Sequence, residues 1–185
     1  KDNLSVQVHP DNEYALKNEG EYGKTEMWYV IEAEPGAELL YGVEKKITAQ
    51  ELADSLQNGT ITDICHHAPV KKGDVFFIPA GTIHAIGKGI LLAEVQENSN
   101  TTYRLYDYGR LGNDGKPRQL HVQQGTEVCS LKPLPLVDKR QQAVLSSDCT
   151  AELLVSCEYF NTYSIELSGA NHLKADTESF HTFTV

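Results

Sequence analysis

A chain of 185 residues is long enough for one sizeable domain, or for one domain and part of another. Hydrophobic residues at 40% and charged residues at 23% are ordinary proportions for a water-soluble fold, and the longest apolar runs are too short to span a bilayer. The 26 acidic residues outnumber the 16 basic ones for a formal charge of -10, which argues against a general nucleic-acid surface but leaves room for one basic pocket around a small anion.

In chain order, the first element is a strand in "LSVQVHPD", Leu4 to Asp11. Alternation along a strand puts Gln7 and His9 on one face and Val6 and Val8 on the other. An amide and an imidazole on one face mean either a solvated edge or a pair of metal ligands in need of partners. Asp11 to Glu19 reads as a short helix before Gly20. "EMWYVIEAE", Glu26 to Glu34, is aromatic and β-branched and runs into a Pro-Gly turn, as a strand does. Lys24, Glu26, Trp28 and Val30 share one of its faces. "ELLYGVE" continues as a strand. Thr48 to Gln57 carries a helix signature: Thr48 and Glu51 form a capping box, Leu52 and Leu56 mark an apolar face, and Asn58-Gly59 closes it. His66 and His67, after Cys65, are expected in a loop following that helix and are assigned no site. "DVFFIPAGTIHAI", "ILLAEVQENS" and "TTYRLYDYG" are further strands, and "LGNDGKPR" carries the turn signal of a hairpin or loop. His121, His172 and His181 read as structural or exposed. Pro133 and Pro135 make Leu131 to Asp138 a linker, after which "AELLVSCEYFNTYSIELSG" reads as two more strands. Many short strands with few helices indicate a barrel or jelly roll. Cys65, Cys129, Cys149 and Cys157 form no CxxC, which favours free thiols in a reducing cytosol.

The segment Gly73 to His84, "GDVFFIPAGTIH", has the form G-x5-P-x-G-x2-H. Gly73 permits the turn into a strand, Pro79 and Gly81 make a tight bend, and His84 enters the next strand. This pattern resembles the second signature of the cupin superfamily. The first signature of that superfamily has a His-x-His pair followed shortly by a Glu; here the pair is Gln7-x-His9, and the next candidate acid is Glu26. With that departure, "SVQVHP", "GKTEMWY", "IPAGTIHAI" and "ENSNTTYRLYDYGR", in this order, resemble the type I mannose-6-phosphate isomerase family in its short bacterial form.

The resemblance implies a mainly β, cupin-type jelly-roll barrel with short helical insertions, incomplete at both ends of this chain. It implies a catalytic metal-binding domain at 1–130, a linker at 131–138 and the opening strands of a second cupin-like domain at 139–185. It implies one divalent metal ion, zinc, held by Gln7, His9, Glu26 and His84. It carries a catalytic arginine to Arg104, an active-site lysine to Lys24 and a pocket acid to Glu94. Some relatives have a histidine just before the lysine; here that position is Gly23, so no proton-transfer role passes to it. The implied partner is a small sugar phosphate, with no nucleic acid and no membrane, in a cytoplasmic monomer or weak homodimer.

The residues themselves allow the same chemistry. Two imidazoles, one carboxylate and one amide oxygen suit zinc, and also Mn, Fe, Co and Ni. Aldose–ketose isomerisation requires a polarised carbonyl, a proton moved between C1 and C2, and a stabilised enediol(ate). A metal serves the first need, Arg104 can hold developing charge or phosphate, and Lys24 and Glu94 are both candidates for the proton transfer. Two other readings use the same residues: a sugar-binding or regulatory cupin module without turnover, and a different metal-cupin enzyme such as a dioxygenase or an epimerase.

Overall fold

The computed structural model describes residues 2–135, the backbone of 141–146, and residues 149–170, 172, 174, 175, 177 and 180–185. Positions 136–138 of the expected linker, and 139 and 140 of the expected second domain, lie outside the described residues. The chain divides into two units, Lys1–Val137 and Asp138–Val185.

In the first unit the elements run β1 (Val6–Val8), α1 (Asn12–Asn18), β2 (Glu26–Ala33), β3 (Glu38–Val43), α2 (Ala49–Asn58), α3 (Ile61–Ile64), β4 (Cys65–Pro69), β5 (Val75–Ile78), β6 (His84–Ile86), β7 (Ile90–Gln96), β8 (Tyr103–Tyr106) and α4 (Val122–Val128). They build a five-stranded sheet of order β4-β3-β6-β1-β8 and a three-stranded sheet of order β5-β2-β7, antiparallel in every pairing. In the second unit β9 (Gln141–Ser146), β10 (Cys149–Ser156) and β11 (Asn161–Leu167) form an antiparallel sheet of order β11-β10-β9.

The period of two along the strands sorts the side chains of the five-stranded sheet. Val6, Val8, Ala85, Tyr103 and Leu105 join a core shared with Leu52 and Leu56 of α2 and Ile61 of α3, on the helix-covered face. Their sequence neighbours Gln7, His84 and Arg104 are thereby sent to the opposite face. There Trp28 of β2 packs with Leu39, Tyr41, Ala68 and Ile78 in a second core between the sheets. The result is the mainly β, cupin-type barrel with short helices that the sequence indicates.

Helix α2 is capped as its sequence dictates. The Thr48 hydroxyl accepts from the Glu51 N–H at 3.2 Å, the Glu51 carboxylate accepts from the Thr48 N–H at 2.7 Å, and Gly59 closes the helix at φ 70. Two expectations change. His66 and His67 are not in a loop: they belong to β4, where His67 stands opposite Leu40 of β3. A Cys-His-His-Ala-Pro run has little strand propensity of its own, and the ladder offered by β3 decides. The His67 ring lies 2.7 Å from a Glu38 carboxylate oxygen and 3.1 Å from the Thr62 carbonyl oxygen. Both neighbours are acceptors, and the bond to Glu38 leads in raising the imidazole pKa above its ordinary value. Helix α4 was not anticipated. It lies so close to β8 that a Cβ at Gly125 would run into the Leu105 side chain. Within the expected linker, the Leu131 carbonyl accepts from Ile47 N–H at 3.0 Å and Leu134 packs beside the second core, so its described part follows the surface of the first unit.

Candidate metal centre

Three buried side chains converge between the sheets: His9, just after β1, Glu26 at the start of β2, and His84 at the start of β6. Their exposures are 2%, 1% and 0%, and one donor atom from each lies within 4.8 Å of the others. His9 Nε2 is 3.5 Å from Glu26 Oε2, and His84 Nε2 is 3.3 Å from Glu26 Oε1. Gln7, in register with His84 across β1 and β6, reaches the same point, its Nε2 donating to His84 Nε2 at 3.2 Å.

Main-chain carbonyls orient both rings. His9 Nδ1 donates to the Thr101 carbonyl at 2.9 Å and His84 Nδ1 to the Thr82 carbonyl at 2.8 Å. Each proton is thus held on Nδ1; His9 Nε2 turns its lone pair toward Glu26, and His84 Nε2 also accepts from the Gln7 amide nitrogen. The bend "PAGT" aims His84. Thr82 N–H donates to the Pro79 carbonyl, and Gly81 sits at φ +84 with its N–H on the His9 carbonyl at 2.8 Å. A Cβ there would lie 2.9 Å from the Val128 carbonyl oxygen, so both conformation and space call for glycine.

Burial dominates the electrostatics. It lowers His9 to a pKa of about 3, helped by the Lys24 charge and opposed by the bond to Thr101. It lowers His84 to about 4, helped by His9 and opposed by Glu26. It raises Glu26, with the charges of His84 and Lys24 opposing. Among the described residues, His9 Nε2 and Glu26 Oε1 are buried without a hydrogen-bond partner. Orphaned buried polar atoms are costly, and the cost is removed if a cation accepts these lone pairs. Neutral imidazoles and a carboxylate with free lone pairs are the donor set a divalent cation takes, so these residues fit a metal ion.

Of the other expected site residues, Lys24 and Glu94 lie close enough to act electrostatically on this cluster, and Arg104 is in register with Gln7. Lys24 is 8% exposed, and its Nζ donates to Gln96 Oε1 at 3.2 Å. Glu94 stands opposite Trp28 and accepts from Trp28 Nε1 at 3.0 Å. One side of Glu94 is open to solvent, while desolvation of the other and the Glu26 charge raise its pKa. Arg104 stands opposite Gln7 on the inward face; its Nη1 donates to the Gln119 carbonyl at 3.0 Å and its Nε is buried without a partner. A histidine at position 23 has no room, because a Cβ there would collide with the backbone of Pro10 and Asp11. Gln96 was missed in the sequence. The signal available was its phase, two residues from Glu94 on the same face of β7.

Two antiparallel sheets that close over a buried His-His-Glu cluster make a cupin-type barrel with a candidate metal site. Within that class, the chain resembles mannose-6-phosphate isomerases over about nine tenths of its length. It is 44% identical over 167 residues to mannose-6-phosphate isomerase of Streptococcus mutans, covering 90% of this chain and 52% of the relative. It is 43% identical over 172 residues to a Bacillus subtilis mannose-6-phosphate isomerase, covering 92% and 54%. The crystal structure of mannose 6-phosphate isomerase from Bacillus subtilis superposes with a TM-score of 0.85 at 36% identity, over 91% of this chain and 54% of that one. The apo enzyme from Salmonella typhimurium, at 14% identity and a TM-score of 0.57, shares the fold. No family model matches. The chain spans about half the length of the curated relatives it matches.

Proposed function

We propose that this chain carries the catalytic barrel of a metal-dependent aldose–ketose isomerase that interconverts mannose 6-phosphate and fructose 6-phosphate through an enediol(ate). The observation that carries this reading is the buried His9–Glu26–His84 cluster, with His9 Nε2 and Glu26 Oε1 unpartnered. The names of the relatives support the substrate.

The ion, zinc as the family resemblance implies, would be held by His9, Glu26, His84 and, with its amide turned end for end, the Gln7 oxygen, and would supply carbonyl polarisation when bound. Arg104 is the charge-holding residue: a guanidinium with a buried, unused Nε can take the enediolate or the phosphate by paired hydrogen bonds. Lys24 and Glu94 are the two groups able to carry the proton between C1 and C2, one fixed by Gln96 and the other by Trp28. With four free thiols, the protein suits a reducing cytoplasm, as a monomer or weak homodimer.

The test is production of fructose 6-phosphate from mannose 6-phosphate, repeated after chelation and after return of zinc. Turnover that disappears with chelator and returns with zinc is the expected result; turnover that resists the chelator overturns the metal's role. The solvent-open side at Glu94 and Gln96 favours a second reading, a sugar-binding module. A folded, zinc-loaded chain that binds the sugar phosphate without converting it would decide for that reading.

A further inference from the structure

We propose that His121 is a positioning residue for Arg104. The proposal rests on the reading of Arg104 as the charge-holding residue. Strand β8 is the edge of the five-stranded sheet, with β1 on one side only. The main-chain groups of Arg104 that point away from β1 are nevertheless both bonded. His121 N–H donates to the Arg104 carbonyl at 2.7 Å, and Arg104 N–H donates to His121 Nδ1 at 3.1 Å. An adjoining strand would close this pair with its own N–H and its own carbonyl. Here an imidazole nitrogen stands in for the carbonyl. The Gln119 carbonyl then takes Arg104 Nη1 at 3.0 Å. The stretch 119–121 thus grips the backbone and the guanidinium of Arg104 together, and so fixes the direction in which its free Nε is presented.

The grip requires neutral His121 with its proton on Nε2, because an imidazolium has no lone pair for the Arg104 N–H. The groups that face His121 are Arg104 from β8, Glu19 from the end of α1, and the Tyr103 ring at 6.0 Å. Glu21 and Gln124 line the same open hollow of about 450 Å³. Burial and then the Arg104 charge push the imidazole below its ordinary range, and Glu19 opposes them. The acceptor is therefore kept at neutral pH and lost on acidification.

The experiment compares His121→Leu with His121→Asn. The Asn side-chain oxygen occupies the place of Nδ1 and cannot be protonated. In the parent chain, nitrogen NMR should find His121 Nδ1 unprotonated and the Arg104 amide proton shifted by its bond to the ring. His121→Leu should lower kcat/KM for mannose 6-phosphate by about tenfold or more with metal content unchanged, as expected for a misplaced catalytic group. His121→Asn should recover most of that loss, and its rate should no longer fall where acid titrates the parent's imidazole. The proposal is overturned if His121→Leu stays within about twofold of the parent, or if His121→Asn is as impaired as His121→Leu despite an intact fold. A parent chain without turnover would sink the isomerase reading alone; the NMR result then stands by itself, and a proton on Nδ1 would overturn the role of His121.

Discussion

His9 and His84 each commit one ring nitrogen to a carbonyl, so the other has no role but to accept. This division predicts the effect of removing the charge between them. Glu26→Gln keeps the size of the side chain but not its charge, and should weaken divalent-metal affinity by about 100-fold, read by metal analysis after dialysis. Arg104→Ala leaves the metal donors intact. It should lower kcat by about 100- to 1,000-fold at unchanged metal content, the usual cost of losing a donor to a developing oxyanion. A loss of only a few-fold would refute the charge-holding role. In the metal-free chain, the native state keeps both imidazoles neutral until the pH reaches about 4 for His84 and about 3 for His9. The unfolded chain binds protons at both from about pH 6.5 downward. Stability should therefore fall as pH drops through that window, by on the order of 1 kcal/mol per pH unit for each histidine, and denaturant midpoints measured from pH 7 to pH 5 would reveal it. At this scale the family resemblance carried by the ordered motifs named Gln7, His9, Glu26 and His84 together, and their side chains lie together in the structure. Gln96 and His121 were not. They act through an amide and through an edge pairing, and neither leaves a pattern in the chain.

Elements set these side chains in place, and their ends are the vulnerable points. Gly81 ties the bend before His84 to the His9 carbonyl, and its backbone has positive φ. Gly81→Ala should cost about 1–3 kcal/mol and also reduce metal affinity, because both histidines depend on this turn. Thr48→Ala in the capping box of α2 should cost about 1 kcal/mol and leave the metal site unchanged, so thermal melts paired with metal titrations would separate the two classes of effect. Farther along, Asp107 at the end of β8 receives Arg110 and Arg118, and the Arg118 bond leads in holding its carboxyl below the usual range. Most strands and α2 could be read in advance from alternation and caps. β4 could not, since its ladder is supplied by a distant strand. α4 could not either, since a central glycine weakens helix propensity and makes sense only against Leu105.

Across the whole molecule, all the expected site residues fall within the unit Lys1–Val137. Binding a cation to the native state alone stabilises that state by mass action, by about 2.7 kcal/mol at a free metal concentration 100 times Kd. Chelation should accordingly lower the melting temperature of the chain, and Glu26→Gln should remove most of the difference between chelated and loaded samples, leaving about 0.4 kcal/mol at the same metal concentration. The fold class was legible because a barrel repeats one pattern many times, so that single errors in strands do not alter it.

One feature between the sheets gives this architecture a voice. The sequence contains a single tryptophan, Trp28, fully buried, with its indole 5.4 Å from the His84 ring. Excited indoles are sensitive to a charged or paramagnetic neighbour. The tryptophan emission of the native chain, excited beyond the tyrosine absorption, therefore comes from a lamp fixed beside the candidate cation position. Titrating cobalt or nickel into the metal-free chain should dim that lamp in step with occupancy, with no label attached and no substrate present.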